Sequence, residues 1–400
     1  MKITFFTNYV HHHQLPLADE LYKLIGDEYK YVALEELPDW LIRGGYDPTL
    51  DRPYIIRAYK SEIARNEAIS LIETSDVVIT GQVPEDWFFK RKISNKLTFN
   101  SNERILKSAF REIIYPLGFP LAWKWFTRFR NKNSYMLCMS AFMANDMKKY
   151  YAYPNKCYKW GYFTKVDNVE GNTAVEASLD VSTSEITPLM WCSRFLKWKH
   201  PEMPILMAKR LKEKGYKFHL DMYGSGELLC RSTALVNKLN LNDVVKFCGN
   251  VPNEDILQAM REHEIFLFTS DRNEGWGAVA NESMSNGCVL VGSDAIGATP
   301  FLIDNGKNGL FFKSSNSYKG FTKFGLIVDK KALNSLTEKV EWLLNHPKER
   351  KEMSIVARKT MMDFWSPSVA AKNLLTLIDS IQAGVDCNIE KGPCSKAYPI

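Results

Sequence analysis

The sequence predicts an α/β protein made of two Rossmann-like domains with a cleft between them. Three observations carry that expectation. Strand-like apolar runs alternate with helix-period segments in the first part of the chain and again in the second, the pattern of doubly wound parallel sheets. The length, 400 residues, exceeds what one core comfortably serves. Between the two alternations, 171–187 (GNTAVEASLDVSTSEIT) turns small and polar with no helical period, which marks a linker. The divisions that follow are 1–170, the linker 171–187, 188–362, a helix-bearing segment 363–384 and a tail 385–400.

In the first domain, 2–7 reads as a buried strand, followed by a loop and a helix over about 16–26. A second strand spans 29–34, a helix 61–73 and a third strand 77–80. Short strands follow near 96–99 and 134–139, the latter leading into a helix at 141–150. In the second domain the order is strand 189–192, helix 201–214, strand 217–223, helix 228–239, strand 244–248 and helix 253–262. Then come strand 265–269, a glycine-bearing turn, a short helix closed by Gly287, strand 289–292, strand 309–312 and helix 330–345. The last helix is 366–383, and the tail after it reads as irregular.

Composition is that of a soluble globular protein: 45% of residues are hydrophobic and 24% charged. No apolar run approaches the ~20 residues a membrane-spanning helix needs, and the N-terminus lacks signal-peptide architecture, so a cytoplasmic protein is expected. Eight scattered cysteines without a CxxC pair argue against both zinc and a disulfide framework, and no metal is expected. The formal charge is +6. Residues 104–132 hold seven Lys/Arg against one Glu, so that segment alone accounts for 7 − 1 = +6 and the remainder is balanced. No nucleic-acid-binding module accompanies it.

The chemistry concentrates in 266–297 (FLFTSDRNEGWGAVANESMSNGCVLVGSDAIG). Glu274 lies in the turn and Glu282, eight positions on, inside the short helix. Gly275 and Gly277 let backbone approach a ligand at the helix start, where unpaired N–H groups and the dipole favour an anion. The first acid then faces one group attached to that anion, and Glu282 reaches polar groups on its other side. A phosphate flanked by two hydroxyl-rich groups describes a nucleotide sugar.

Glu274-Gly-Trp-Gly followed by Asn281-Glu282-Ser-Met resembles the E-x7-E segment of retaining glycosyltransferases of family 4, the bacterial surface-polysaccharide type with the GT-B fold. The resemblance extends over about 189–312. In WCSRFLKWKHP, Arg194 and Lys199 resemble the family's Arg…Lys pair; such cations neutralise a departing diphosphate without a metal, with Lys197 nearby to share the role. Gly224 and Gly226 resemble its G-x-G, and Phe247-Cys248-Gly249-Asn250-Val251 its base-reading F-x-G-x-V, although each also reads as an ordinary turn. The resemblance implies that Glu282 binds ribose hydroxyls, Glu274 the transferred sugar, and backbone amides near Gly275, Trp276 and Gly277 the distal phosphate. It also implies that the last helix crosses back to the N-terminal, acceptor-side domain. Asn281 and Ser283 replace residues that are commonly apolar or Ala in the family, with an effect the sequence does not reveal.

The first domain departs from the family pattern. Its first loop, 8–14, has no glycine, and the stretch 98–103 has no histidine. Acceptor-side contacts are therefore expected from His11, His12, His13, Asn100 or Glu103; the histidine triplet also reads as a metal site or as a solvated loop. The basic stretch 104–132 interleaves Phe110, Trp123, Trp125 and other aromatics, which fits either an interfacial segment resting on anionic headgroups or a helical excursion packed on its own domain. The function implied is a metal-independent, cofactor-free retaining transferase, hexosyl in type. It would use a UDP- or GDP-sugar and a glycan or lipid-linked acceptor in cell-surface polysaccharide or lipopolysaccharide synthesis, at the inner face of the membrane. Two other classes remain: a catalytically inactive sugar-binding or partner subunit, and an NAD-dependent oxidoreductase, for which the dinucleotide fingerprint is lacking.

Overall fold

The structure, a computed structural model, describes residues 1–42, 47, 49–166, 186–315 and 318–400. Residues 171–185 of the expected linker lie outside the described residues. The chain forms two compact units, one of Met1–Lys165 with Phe364–Ile400 and one of Val166–Asp363.

The first unit holds a seven-stranded parallel sheet in the order β3-β2-β1-β4-β5-β6-β7. Its strands are β1 Ile3–Thr7, β2 Tyr29–Ala33, β3 Ile55–Arg57, β4 Val77–Thr80, β5 Thr98–Asn102, β6 Ser134–Cys138 and β7 Cys157–Lys159. Every residue of β1 and β4 is buried, as expected of strands covered on both faces. Helix Glu62–Thr74 begins where the Ser61 side chain accepts from the Ala64 N–H.

The sequence reading placed the fourth strand of this unit at 96–99, and the structure moves it to Thr98–Asn102. Asn100 and Ser101, polar and outside the expected strand, are fully buried. Thr80 Oγ1 donates to Asn100 Oδ1 at 2.9 Å and Lys92 Nζ to the same oxygen at 3.0 Å, while the Asn100 amide donates to Tyr153 Oη. The tail is also more ordered than its composition suggests. Lys159 N–H donates to the Ser395 carbonyl and Cys394 N–H to the Lys159 carbonyl, each at 2.8 Å, so the tail covers the β7 edge. Helix Pro367–Ala383 packs in this unit against helix Leu15–Ile25.

The second unit holds a six-stranded parallel sheet in the order β10-β9-β8-β11-β12-β13. These strands are β8 Thr187–Cys192, β9 Phe218–Tyr223, β10 Val245–Gly249, β11 Ile265–Phe268, β12 Val289–Ser293 and β13 Gly309–Phe312. Leu189, Trp191, Leu220, Ile265 and Val291 meet Leu336 and Val340 of helix Lys330–Asn345 in one core. The sequence reading missed helix Pro347–Phe364, whose buried Arg350, Met353, Ala357 and Met361 keep helical spacing inside a mostly charged run. The sheet order reverses between β8 and β11, so the loops after these two strands flank the switch point, the place where open α/β sheets bind ligands.

Candidate active site

The loop after β8 is held by the loop after β9. Ser193 N–H donates to the Tyr223 carbonyl at 3.1 Å and Phe195 N–H to the Ser225 carbonyl at 2.8 Å. Gly224 (φ +117°) and Gly226 (φ +149°) are required by this contact. A Cβ on Gly224 would stand 2.1 Å from the Ser193 carbonyl oxygen, and one on Gly226 2.7 Å from that of Phe195. The close approach these glycines permit is thus between two loops of the protein, and it presents Arg194, an exposed residue, from the edge. Gly224 N–H also donates to the Gly249 carbonyl at 2.7 Å, which ties in the turn that carries the exposed Asn250 and the half-buried Val251.

Lys199 and Glu274 meet directly. Both are nearly buried, and the Lys199 ammonium donates to Glu274 Oε2, which also accepts from Ser270 Oγ at 2.8 Å. Beneath this pair lies a charged cluster that the sequence reading missed. His200, in left-handed conformation (φ +50°) and without exposed surface, places Nδ1 2.8 Å from Glu202 Oε1 and Nε2 3.4 Å from Asp271 Oδ2. Burial pushes its pKa down, but hydrogen bonds and charge from Asp271 and Glu202 outweigh that and raise it to about 9, so the imidazole is cationic at neutral pH.

Asp271 N–H donates to the Trp198 carbonyl at 2.9 Å, and the Asp271 carbonyl accepts from Glu274 N–H at 3.0 Å. Thr269 Oγ1 accepts from Trp191 Nε1 and donates to the Lys199 carbonyl. The loops after β8 and β11 are therefore one hydrogen-bonded body. The pointers in the sequence were His200-Pro-Glu202 immediately after Lys199 and Asp271 just before Glu274.

Trp276 is fully buried, with its Nε1 donating to Asn281 Oδ1 at 2.8 Å. That bond explains the polar residue at 281: it holds the indole under the turn. Ser283 Oγ donates to the Ala280 carbonyl within the helix. Gly277 (φ +85°) lies over Phe268, whose ring leaves 2.3 Å for a Cβ. The turn delivers the chain into helix Val279–Ser285, where Ala280 N–H donates to the Gly277 carbonyl at 3.0 Å and Glu282 N–H to the Ala278 carbonyl at 3.1 Å. Glu282 points from this helix into a buried environment beside the Asn253 side chain. Burial, partly opposed by the Asn253 hydrogen bond, pushes its carboxyl up to about 7.

In the first unit, His11 to His13 occupy the loop between β1 and helix Leu15–Ile25, at the carboxyl end of β1. His11 Nε2 lies 2.9 Å from Asn8 Oδ1. Burial lowers the pKa of all three, His11 to about 4, so they are neutral. Asn100 is corrected from acceptor-side candidate to internal strut, since its amide is consumed by Thr80, Lys92 and Tyr153 with no exposed surface. Glu103 pairs with Lys107 at 2.6 Å.

The basic character of 104–132 is partly internal. Arg104 meets the buried Asp146, and Lys124 lies 3.2 Å from Asp86. Phe110, Ile113, Leu117, Leu121 and Trp123, on the short helices Ala109–Ile113 and Phe119–Trp125 and the turn between them, are each more than half exposed. Among the described residues, no helix is long and apolar enough to cross a membrane.

Two Rossmann-like units with parallel sheets of seven and six strands define the protein as one of GT-B fold. Residues 189–323, about a third of the chain, match the family model of group 1 glycosyl transferases, and every site residue of the second unit falls within that span. The chain is thus of GT-B fold, and this span of its second unit is similar to group 1 glycosyl transferases.

Over 130 residues it is 24% identical to the UDP-N-acetylglucosamine–peptide N-acetylglucosaminyltransferase GtfA subunit of Streptococcus gordonii, covering 32% of this chain and 25% of that protein. The match thus spans a quarter of that relative. The crystal structure of Anabaena Alr3699/HepE in complex with UDP superposes with a TM-score of 0.67 at 13% identity, over 95% of this chain and 100% of that one. Sucrose-phosphate synthase of Thermosynechococcus elongatus gives a TM-score of 0.67 at 12% identity, over 96% of this chain and 100% of that one. At these identities the likeness to the two structures is one of fold.

Proposed function

We propose that the chain is a retaining glycosyltransferase that moves a hexosyl unit from a UDP- or GDP-sugar to a glycan or lipid-linked acceptor of the cell surface. The reading rests on one observation: Lys199 and Glu274, joined at the switch point, lie in one hydrogen-bonded body with a buried, cation-poor carboxyl at Glu282 on the following helix. Arg194 and Lys199 take the diphosphate, supplying the positive charge that a metal supplies in other transferases. The amides of Gly275, Trp276 and Gly277 meet its distal phosphate, and Glu282 takes the ribose hydroxyls. Gly224, Gly226, Asn250 and Val251 border the base and nucleotide.

Both bonds to Glu274 fall on Oε2, which leaves Oε1 to accept from a sugar hydroxyl. The bond from the anomeric carbon to the phosphate oxygen breaks. The acceptor hydroxyl attacks from the same face, and its proton passes to the departing phosphate, so no carboxylate nucleophile is called for. The Alr3699/HepE complex with UDP supports a uridine donor as the first to try. The exposed apolar row of 104–132 suits docking on an anionic bilayer that holds a lipid-linked acceptor, at the cytoplasmic face.

The test is a thermal-shift screen against nucleotide sugars, followed by a transfer assay with the donor that binds. Arg194→Ala is expected to weaken the donor at least tenfold and Glu274→Ala to abolish transfer while donor binding persists. Wild-type kinetics in both variants would remove the assignment. Donor binding with no turnover on a broad acceptor panel would make the chain an inactive sugar-binding partner instead.

A further inference from the structure

Strand β9 carries a polar pair that the donor site does not use. His219 and Asp221 are two residues apart, so strand alternation sends both side chains to one face, toward the end of β9 farther from Gly224. His263, just after helix Asn253–Glu262, arrives at the same place. One ligating atom from each of the three lies within 4.8 Å of the others, and His263 Nε2 is 3.4 Å from Asp221 Oδ2. We propose that His219, Asp221 and His263 form a site for a divalent transition-metal ion, with zinc as its probe.

His263 is 7% exposed, and its Nδ1–H donates to the Ala259 carbonyl at 2.6 Å. That bond occupies Nδ1 and turns the buried Nε2 into the cluster, where it faces Asp221 Oδ2; in the neutral ring Nε2 carries the lone pair a metal would take. An imidazole anchored through one nitrogen to a carbonyl is how metal-binding histidines are oriented. Two imidazoles and one carboxylate suit zinc and its neighbours in the first transition row. A tetrahedral zinc with ligands at roughly 2.0–2.2 Å holds donor atoms roughly 3.3–3.6 Å apart, so the cluster closes by small side-chain rotations.

An adjoining cavity of about 430 Å³, lined in part by His219, Asp221, Asn242 and Lys246, leaves room for a water as fourth ligand. Lys246 lies beside Asp221 in the sheet register and opposes the ion, although its exposed side chain can swing into water. Bound metal would clasp β9 to the end of the helix that begins at Asn253, beside Glu282. The spacing H-x-D plus a distant histidine gave no ligand motif in the sequence, and only the fold brings the three together.

The test uses the full chain, stripped with a chelator and titrated with zinc in competition with a chromophoric chelator. One tight equivalent is expected, with cobalt giving the intense visible absorption of a four-coordinate ion. His219→Ala should abolish that equivalent, Asp221→Asn should weaken it at least tenfold, Lys246→Gln should tighten it, and replacing His11 to His13 together should leave it intact. Should His263→Ala fail to fold, the Asp221 and Lys246 variants decide. Absence of zinc binding, or an equivalent that survives His219→Ala and Asp221→Asn and vanishes with the His11–His13 variant, overturns the proposal.

Discussion

Glu282→Gln separates the cost of the proposed site from its use. Burial holds the Glu282 carboxyl at about 7 against an ordinary 4.5, which is worth roughly 3 kcal/mol. The sign is set by proton uptake. Between pH 4.5 and 7 the folded state binds more protons than the unfolded one, so this group lowers stability as pH rises, and the full penalty applies above pH 7. A glutamine keeps the hydrogen bond with Asn253 and removes the buried charge. The ligand-free variant is therefore expected to be more stable than wild type at pH 8, by up to ~3 kcal/mol.

Donor affinity should move the opposite way, because ribose hydroxyls donate more strongly to a carboxylate than to an amide; the loss is ~1.5–3 kcal/mol, about 10- to 150-fold. In wild type, going from pH 8 to pH 6 takes the ionised fraction from about ten-elevenths to about one-eleventh, so affinity falls about tenfold. The variant should lack that dependence. Calorimetric binding of a nucleotide sugar at pH 6, 7 and 8, with melting curves at each, reads both effects. A nucleoside diphosphate is avoided because its terminal phosphate titrates near pH 6. A variant less stable at pH 8 and unchanged in affinity would refute the reasoning.

Three further outcomes are expected. His200, raised to about 9 from 6.5, contributes stability that is fully present below pH 6.5 and lost as pH rises through about 9; that slope, roughly 3 kcal/mol in all, should vanish from the melting temperatures of His200→Gln. Gly224→Ala must displace either the Ser193 carbonyl or its own turn, so it should weaken donor binding at least tenfold and cost more than ~2 kcal/mol of stability in denaturant titration. Asn281→Leu leaves the buried Trp276 N–H without its acceptor and should cost ~1–3 kcal/mol, with Trp276→Phe in the same background restoring part of it by double-mutant cycle.

Much of the fold was legible because parallel strands covered on both faces must be apolar runs, and β1, β4, β8, β11 and β12 all are. β5 was misplaced for the opposite reason: its centre is Asn100 and Ser101, polar groups whose hydrogen bonds lie on strands and helices distant in sequence. Glu274 and Glu282 could be picked out because glycine and a helix start surround them. His200, Glu202 and Asp271 could not, since buried ion pairs read in sequence like solvated loop charges until the fold brings them together. The G-x-G at 224–226 was legible as a need for glycine, but the cause is the Ser193 and Phe195 backbone, which only the fold supplies.

The buried cluster bears on how Lys199 acts. Its charge is already met by Glu274, so a diphosphate arriving at Arg194 does not find Lys199 free; it has to share that ammonium. Sharing is favourable only if Glu274 gains a partner in return, and the group positioned to supply one is a hydroxyl on the sugar attached to that same diphosphate. A nucleoside diphosphate without the sugar draws on Lys199 and gives Glu274 nothing. Cationic His200, fixed between Glu202 and Asp271, keeps both loops from relaxing to absorb the difference. On the proposed reading, the pair would select the intact donor over its own leaving group. In Glu274→Gln the ammonium is released, the nucleoside diphosphate should bind more tightly than in wild type while the nucleotide sugar binds less tightly, and product release should slow. Equal changes for both ligands would show that Lys199 and Glu274 act independently.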